Sequence, residues 1–162
     1  MYQEQVTHAY EEARDDVYRY LLLLGLPAPQ AEETTQEVFI RMYLALQHGD
    51  SIQNERAWIF RVAHNLAIDH RRRKQPQPIE PELEHRLRDT ARGIEMDLIE
   101  RERIEELASA WSTLSPQQRE CMHLRAEGLR YREIAETMGI SISSVRAFLS
   151  RAVTRLKRAV HE

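Results

Sequence analysis

The stretch from Leu129 to Arg158, L-R-Y-R-E-I-A-E-T-M-G-I-S-I-S-S-V-R-A-F-L-S-R-A-V-T-R-L-K-R, constrains the fold more than any other part of the chain. Ile134, Ala135 and Met138 fall on one helical face, and Gly139 follows at once. A glycine there can take the left-handed conformation that ends a helix. Ile140 can plug the corner, and Ser141, Ser143 and Ser144 offer hydroxyls to cap a second helix. In that helix Val145, Phe148, Leu149, Ala152, Val153, Leu156 and Val160 share one arc when residues are stepped by roughly 100°. Arg146, Ala147, Ser150, Arg151, Thr154, Lys157 and Arg158 share the other. A greasy back and a basic, small-residue front suit a helix laid into a major groove, where Arg and Ser reach base edges or phosphates. An ordinary helical hairpin with a solvated basic face is the competing reading.

Upstream the pattern is also helical. Val6, Tyr10, Ala13, Val17, Tyr20, Leu21 and Leu24 recur at helical spacing from about Glu4 to Leu24, where Gly25, Pro27 and Pro29 stop the helix. A second helix is expected from about Gln30 to His48 and a third from about Asn54 to Lys74, with Trp58, Ile59, Val62, Ala63, Leu66 and Ala67 as its buried stripe. Gln75-Pro76-Gln77-Pro78-Ile79-Glu80-Pro81 then breaks all periodicity, as an extended connector would. Helical spacing returns with Ile94, Leu98, Ile99, Ile104, Leu107, Ala108 and Trp111, and Ser115-Pro116 marks the start of another helix carrying Cys121, Met122 and Leu124. The expectation is all-α: an N-terminal bundle of at least three helices over 1–75, a flexible linker over 76–93, and a four-helix module with the helix-turn-helix over 94–162.

Charge bears on partners. The net charge of −3 is unusual for a nucleic-acid binder, but its distribution is uneven. Arg56, Arg61, Arg71, Arg72, Arg73 and Lys74 form one basic cluster and Arg146, Arg151, Arg155, Lys157 and Arg158 another, with an acid-rich Glu80–Glu106 between them. Long-range repulsion from those acids weakens the grip on free DNA, so a partner that brings the chain to DNA is expected. No run of about 18 apolar residues suggests a membrane span, and no basic-then-apolar start suggests a signal peptide, so a cytoplasmic protein is expected. The single Cys121 reads as a core thiol. The seven histidines are scattered without a metal or nucleophile spacing, and His70 beside Asp69 points to a different helical face, so neither an enzyme nor a metal or other cofactor is expected.

Trp58-Ile59-Phe60-Arg61-Val62-Ala63-His64-Asn65-Leu66-Ala67-Ile68-Asp69-His70-Arg71-Arg72 resembles the second conserved region of bacterial extracytoplasmic-function RNA polymerase sigma factors, as does Ala31-Glu32-Glu33-Thr34-Thr35-Gln36-Glu37-Val38-Phe39. Leu114-Ser115-Pro116 through Glu133-Ile134-Ala135 to Arg151-Ala152 resembles the family's fourth region. Thr34 stands where an aliphatic residue is usual, and His64 where Arg is frequent. The resemblance implies a subunit that binds core RNA polymerase and directs it to promoter DNA, with an anti-sigma factor as a further partner and neither membrane insertion nor a small-molecule substrate.

It also implies roles. Glu33, Gln36, Glu37, Ile40 and Tyr43 would dock on polymerase, and Asn65, Asp69, Arg71, Arg72 and Arg73 would meet the minus-10 element. The Gly49–Asn54 loop would receive a flipped base. Tyr131, Ser143, Ser144, Arg146, Ala147, Ser150, Arg151 and Thr154 would read the minus-35 element. Plainer readings stand beside these: Trp58 as a core anchor rather than a stacking platform, Asn65 and Asp69 bonded to each other, Arg71–Lys74 as a solvated helix end, and Gln36 and Glu37 as ordinary surface. A transcriptional regulator with an N-terminal sensing or dimerisation bundle is the alternative function, and a helical adaptor that never touches DNA is a third.

Overall fold

The computed structural model describes residues 1–73 and 97–161. The linker expected over 76–93 lies outside the described residues. Among those described there are seven helices and no strand: α1 (Tyr2–Leu23), α2 (Ala28–His48), α3 (Glu55–Arg73), α4 (Leu98–Ser112), α5 (Pro116–Ala126), α6 (Tyr131–Met138) and α7 (Ile142–His161).

The first three pack mutually into a bundle. Val17, Tyr20 and Leu21 of α1, Val38 and Met42 of α2, and Ile59, Phe60, Ala63 and Ala67 of α3 are all buried in it. The Tyr10 and Phe39 rings meet edge to face at 5.2 Å, an arrangement that adds to their apolar burial. Thr35 is buried on the α2 face toward α1, and its hydroxyl donates to the Ala31 carbonyl at 2.7 Å, so burial leaves no orphaned donor. Gly49 ends α2 with φ 98°, a left-handed conformation that a side chain would strain.

In the C-terminal half, Ser115 accepts from Gln118 N at 3.1 Å while the Gln118 side chain accepts from Ser115 N at 3.0 Å, closing a capping box, with Pro116 at the first helical position. The corner is built as its sequence requires. Gly139 takes φ 69° and ψ 34°, and Ile140 N donates to the Ala135 carbonyl at 3.1 Å. The Ser141 hydroxyl caps α7 by accepting from Ser144 N at 3.1 Å. Val145, Leu149 and Ala152 are buried on the back of α7, and Ala135 is buried where α6 meets it.

Three expectations need correction. Leu98 and Ile99 have helical spacing but stand exposed at the start of α4, and Val160 is exposed near the end of α7. At helix ends the partner surface runs out, so periodicity continues past the contact it usually signals. The stripe of α3 is rotated: Trp58, Val62 and Leu66 are only half-buried, while Phe60 and His64 lie inside. The reason is a second packing surface. The C-terminal module seats α5 and α6 against α1 and α3, and Cys121, Leu124, Leu129 and Ile134 join the core of the N-terminal bundle in one contiguous cluster. Trp111, Leu114 and Ala152 form a smaller core of their own beneath α4.

Candidate nucleic-acid interface

The front of α7 is presented as an open basic face. Ser143, Arg146, Ala147, Ser150, Arg151 and Thr154 are all exposed, while the opposite side of the same helix is buried. Ala147 between Arg146 and Ser150 leaves room for close backbone approach. Two of the expected contacts are engaged locally. The Thr154 hydroxyl donates to the Ser150 carbonyl at 2.8 Å, and the Ser144 hydroxyl lies 2.9 Å from that of Ser141. Tyr131, at the start of α6, is exposed and sits beneath the Arg125 guanidinium at 5.6 Å.

On α3, Asn65, Asp69 and Arg72 share one exposed face at the i, i+4, i+7 spacing, Arg73 is exposed beside them and Arg71 is half-buried. The basic residues lie in the last turn of the helix, where its dipole favours cations. On α2, Glu33, Gln36, Glu37 and Ile40 are exposed along one face and Tyr43 is half-buried at its end. Arg41 pairs with Glu37 at 3.0 Å across one turn. A cleft of about 600 Å³ between α1 and α2 is bordered by Gln36, Phe39, Ile40 and Tyr43, so this face offers apolar relief as well as charge.

The loop before α3 forms one wall of a cavity of about 350 Å³. Ile52, Asn54, Trp58 and Arg61 line it from one side, and Glu133, Glu136 and Thr137 of α6 from the other. Asn54 caps α3, its Oδ1 accepting from Ala57 N at 3.2 Å, and its Nδ2 donates to Glu133 Oε2 at 2.7 Å. Glu133 in turn caps α6, its Oε1 accepting from Arg130 N at 2.9 Å. The two helix caps are therefore tied to each other.

Deeper in the junction the Tyr20 hydroxyl donates to Glu120 Oε1 at 2.7 Å. His64 Nδ1 lies 3.0 Å from that hydroxyl and 2.9 Å from the same carboxylate oxygen. Burial, with the Glu120 charge beside it, pushes the Tyr20 hydroxyl well above the usual tyrosine range. Burial likewise raises the Cys121 thiol to about 12, with Glu120 adding to the effect, so the core thiol stays protonated and unreactive. Arg56 donates from Nε to the Glu127 carbonyl at 2.9 Å and from its guanidinium to the Glu127 and Asp16 carboxylates. Burial alone would raise Asp16, but the hydrogen bonds from Arg56 and Arg19 outweigh it and hold the carboxyl below its usual value. Burial and the neighbouring Asp16 charge leave Glu127 above its usual value despite Arg56.

None of the junction contacts is legible from spacing, because they join Tyr20 of α1 and Arg56 and His64 of α3 to Glu120 of α5 and Glu127 at its C-terminal end, far apart in the chain. A faint signal exists: a tyrosine and a histidine on otherwise apolar stripes each need a polar partner once buried.

Sigma-70 region 2 matches residues 9–77 of the chain and Sigma-70 region 4 matches residues 104–156. The chain is 31% identical over 159 residues to the ECF RNA polymerase sigma factor SigM of Bacillus subtilis, covering 94% of this chain and 93% of that protein. Its fold is similar to that of the sigma factor RpoE solved with the anti-sigma factor NepR from Bartonella quintana, with a TM-score of 0.62, 19% identity and 97% of each chain covered. It is also similar to CnrH solved with the cytosolic domain of CnrY, with a TM-score of 0.59 and 24% identity over 96% of this chain and 87% of that one.

Proposed function

The chain belongs to the extracytoplasmic-function RNA polymerase sigma factors, and we propose that it grips promoter DNA at two separate places while the exposed face of α2 holds core polymerase. The N-terminal unit, 1–75, carries the polymerase and minus-10 surfaces, and the C-terminal unit, 94–162, the minus-35 surface. The observation that carries this reading is the open front of α7, a row of exposed Arg and Ser on a helix whose back is buried. Arg146, Ala147, Ser150 and Arg151 read minus-35 bases in the major groove, with Tyr131, Ser143, Ser144 and Thr154 at phosphates or sugar edges. Asn65, Asp69 and Arg72 face the minus-10 strand and Arg71 and Arg73 its phosphates. The loop before α3 accepts a base turned out of the opening duplex, at a cost of a few kcal/mol that binding must offset.

Polymerase docks on Glu33, Gln36, Glu37, Ile40 and Tyr43, where carboxylates surround an apolar contact. It supplies what the overall charge of −3 withholds, since two weak grips held at one separation act as a single strong one. The protein works in the cytoplasm beside polymerase and is not an enzyme; among the described residues no helix is long and apolar enough to cross a membrane. An anti-sigma factor holds it inactive, by analogy with the solved complex of RpoE with the anti-sigma factor NepR.

Run-off transcription with purified core polymerase on fragmented genomic DNA tests the reading. Arg151→Ala is expected to weaken the use of cognate promoters by about 1 to 3 kcal/mol and to relax discrimination at one base. An equal loss on every sequence would make Arg151 a phosphate contact, and no initiation by the unaltered chain on any fragment would sink the proposal.

A further inference from the structure

Arg155 is a basic residue of α7 that belongs to neither of the helix's two faces. Stepped at roughly 100° per residue, it falls on the border between the buried back and the exposed front, three residues after Ala152 and four after Arg151. Its side chain turns to another helix: Nη1 donates to the Thr113 carbonyl at 2.7 Å, across 42 positions of chain. That carbonyl stands at the C-terminal cap of α4, where a helix leaves acceptors without a partner of its own and its dipole favours a cation. The two flanking carbonyls are taken by Arg119 of α5, whose Nε donates to Leu114 O and whose Nη2 donates to Ser112 O, each at 3.1 Å. Two guanidiniums from two helices thus close the end of a third.

Beneath this end lies the small core of Trp111, Leu114 and Ala152, with Leu156 packed against it. It seats the second half of α7. The first half rests on the helix-turn-helix corner, where Val145 and Leu149 join Ile134 and Ala135. Past Ala152 the apolar grip weakens, since Leu156 is half-buried and Val160 is exposed. The Arg155 bond therefore stands where apolar contact is giving out along the helix. Direction matters to a helix that reads bases. A tilt of about 10° about Val145 would carry Arg151, about 9 Å further along the axis, sideways by about 1.6 Å, enough to break a hydrogen bond.

We infer that Arg155 is a positioning residue for minus-35 reading. It fixes the angle of α7 against α4, and so the place at which Arg146, Ala147, Ser150 and Arg151 arrive in the groove, and it contacts neither base nor phosphate itself. The inference rests on the proposed role of the front of α7.

The test uses the full chain assembled with core polymerase and a promoter recovered by the run-off screen. Arg155→Met keeps the apolar stem and removes the donor and the charge. Competition binding on duplexes with the natural and a scrambled minus-35 element gives a discrimination ratio, which does not depend on the fraction of active protein. A general loss of folding would therefore leave the ratio where it was. Arg155→Met is expected to lower it by about fivefold or more, the lower end of what one bidentate base contact discriminates. The slope of log affinity against log salt on the natural duplex should stay as in the wild type. With Arg146→Ala and Arg151→Ala already in place, adding Arg155→Met should cost less than about twofold, because the groups it aims are gone. An equal loss on both duplexes with a salt slope smaller by about one would make Arg155 a phosphate contact and overturn the inference. So would a ratio within about twofold of the wild type, or a full further loss in the background lacking Arg146 and Arg151. If the unaltered chain initiates but does not distinguish the two duplexes, the proposed reading by α7 falls and takes this inference with it. Discrimination by the wild type that Arg155→Met leaves intact overturns the inference alone.

Discussion

Acidification tests the junction through one side chain, His123 of α5. Its ring lies 5.5 Å from that of Tyr20 and 6.3 Å from that of Phe60, and its Nε2 is 3.6 Å from Glu127 Oε1, beyond hydrogen-bond reach. Burial is the main cause that lowers its pKa from 6.5 to about 4; Asp16 and Glu120 pull it upward, and Arg19 adds to the depression. The folded state therefore keeps a neutral ring that the unfolded chain protonates. Stability from this group is fully present above about pH 6.5 and is lost as the pH falls toward about 4, at about 1.4 kcal/mol per unit and roughly 3 kcal/mol in all. Urea midpoints measured at half-unit steps for the wild type and His123→Gln isolate the effect, because Asp16, Glu120 and Glu127 remain in both. The wild type should lose roughly 3 kcal/mol more than the variant across that window. Curves that stay parallel within about 0.5 kcal/mol, or an imidazole resonance that titrates near the ordinary histidine value, would refute the reasoning.

Other expectations follow from single contacts. Ser115→Ala removes one half of the α5 capping box and should cost about 1 kcal/mol of stability by denaturant melt. Gly139→Ala forces a side chain into φ 69° and should cost about 1 to 2 kcal/mol, visible as a lowered melting temperature with the loss centred on α6 and α7 by hydrogen exchange. Tyr20→Phe withdraws the donor to Glu120 and should cost about 1 to 3 kcal/mol; an unchanged urea midpoint would mean that water or His64 replaces the bond fully. Ile40→Asp, on an exposed face, should leave stability within about 0.5 kcal/mol yet abolish co-elution with core polymerase.

The helix-turn-helix was readable residue by residue because every device in it is local. A left-handed glycine, a serine cap and a two-sided helix act within one or two turns, and Gly139, Ser141 and the buried Val145, Leu149 and Ala152 stand where their spacing puts them. The exposed faces of α2 and α3 were legible for the same reason. His64 shows the limit. In the chain it looks like a basic contact gone missing near the third helix, whereas in the fold it is a buried partner of Tyr20 and Glu120.

What the amino-acid sequence determined by itself was the set of helices, their stops and caps, the two basic clusters, and membership of a family whose motifs occur in order. The helices, with their stops and caps, follow from interactions between residues a few positions apart. Which face of α3 is most deeply buried, and which glutamates cover Arg56, Asn54 and Arg61, only the tertiary structure decided. Those pairings join residues 71 to 79 positions apart, and no periodicity ranks one carboxylate over another at that distance. They are chosen by the demand that each polar group trapped between two packed modules finds a partner.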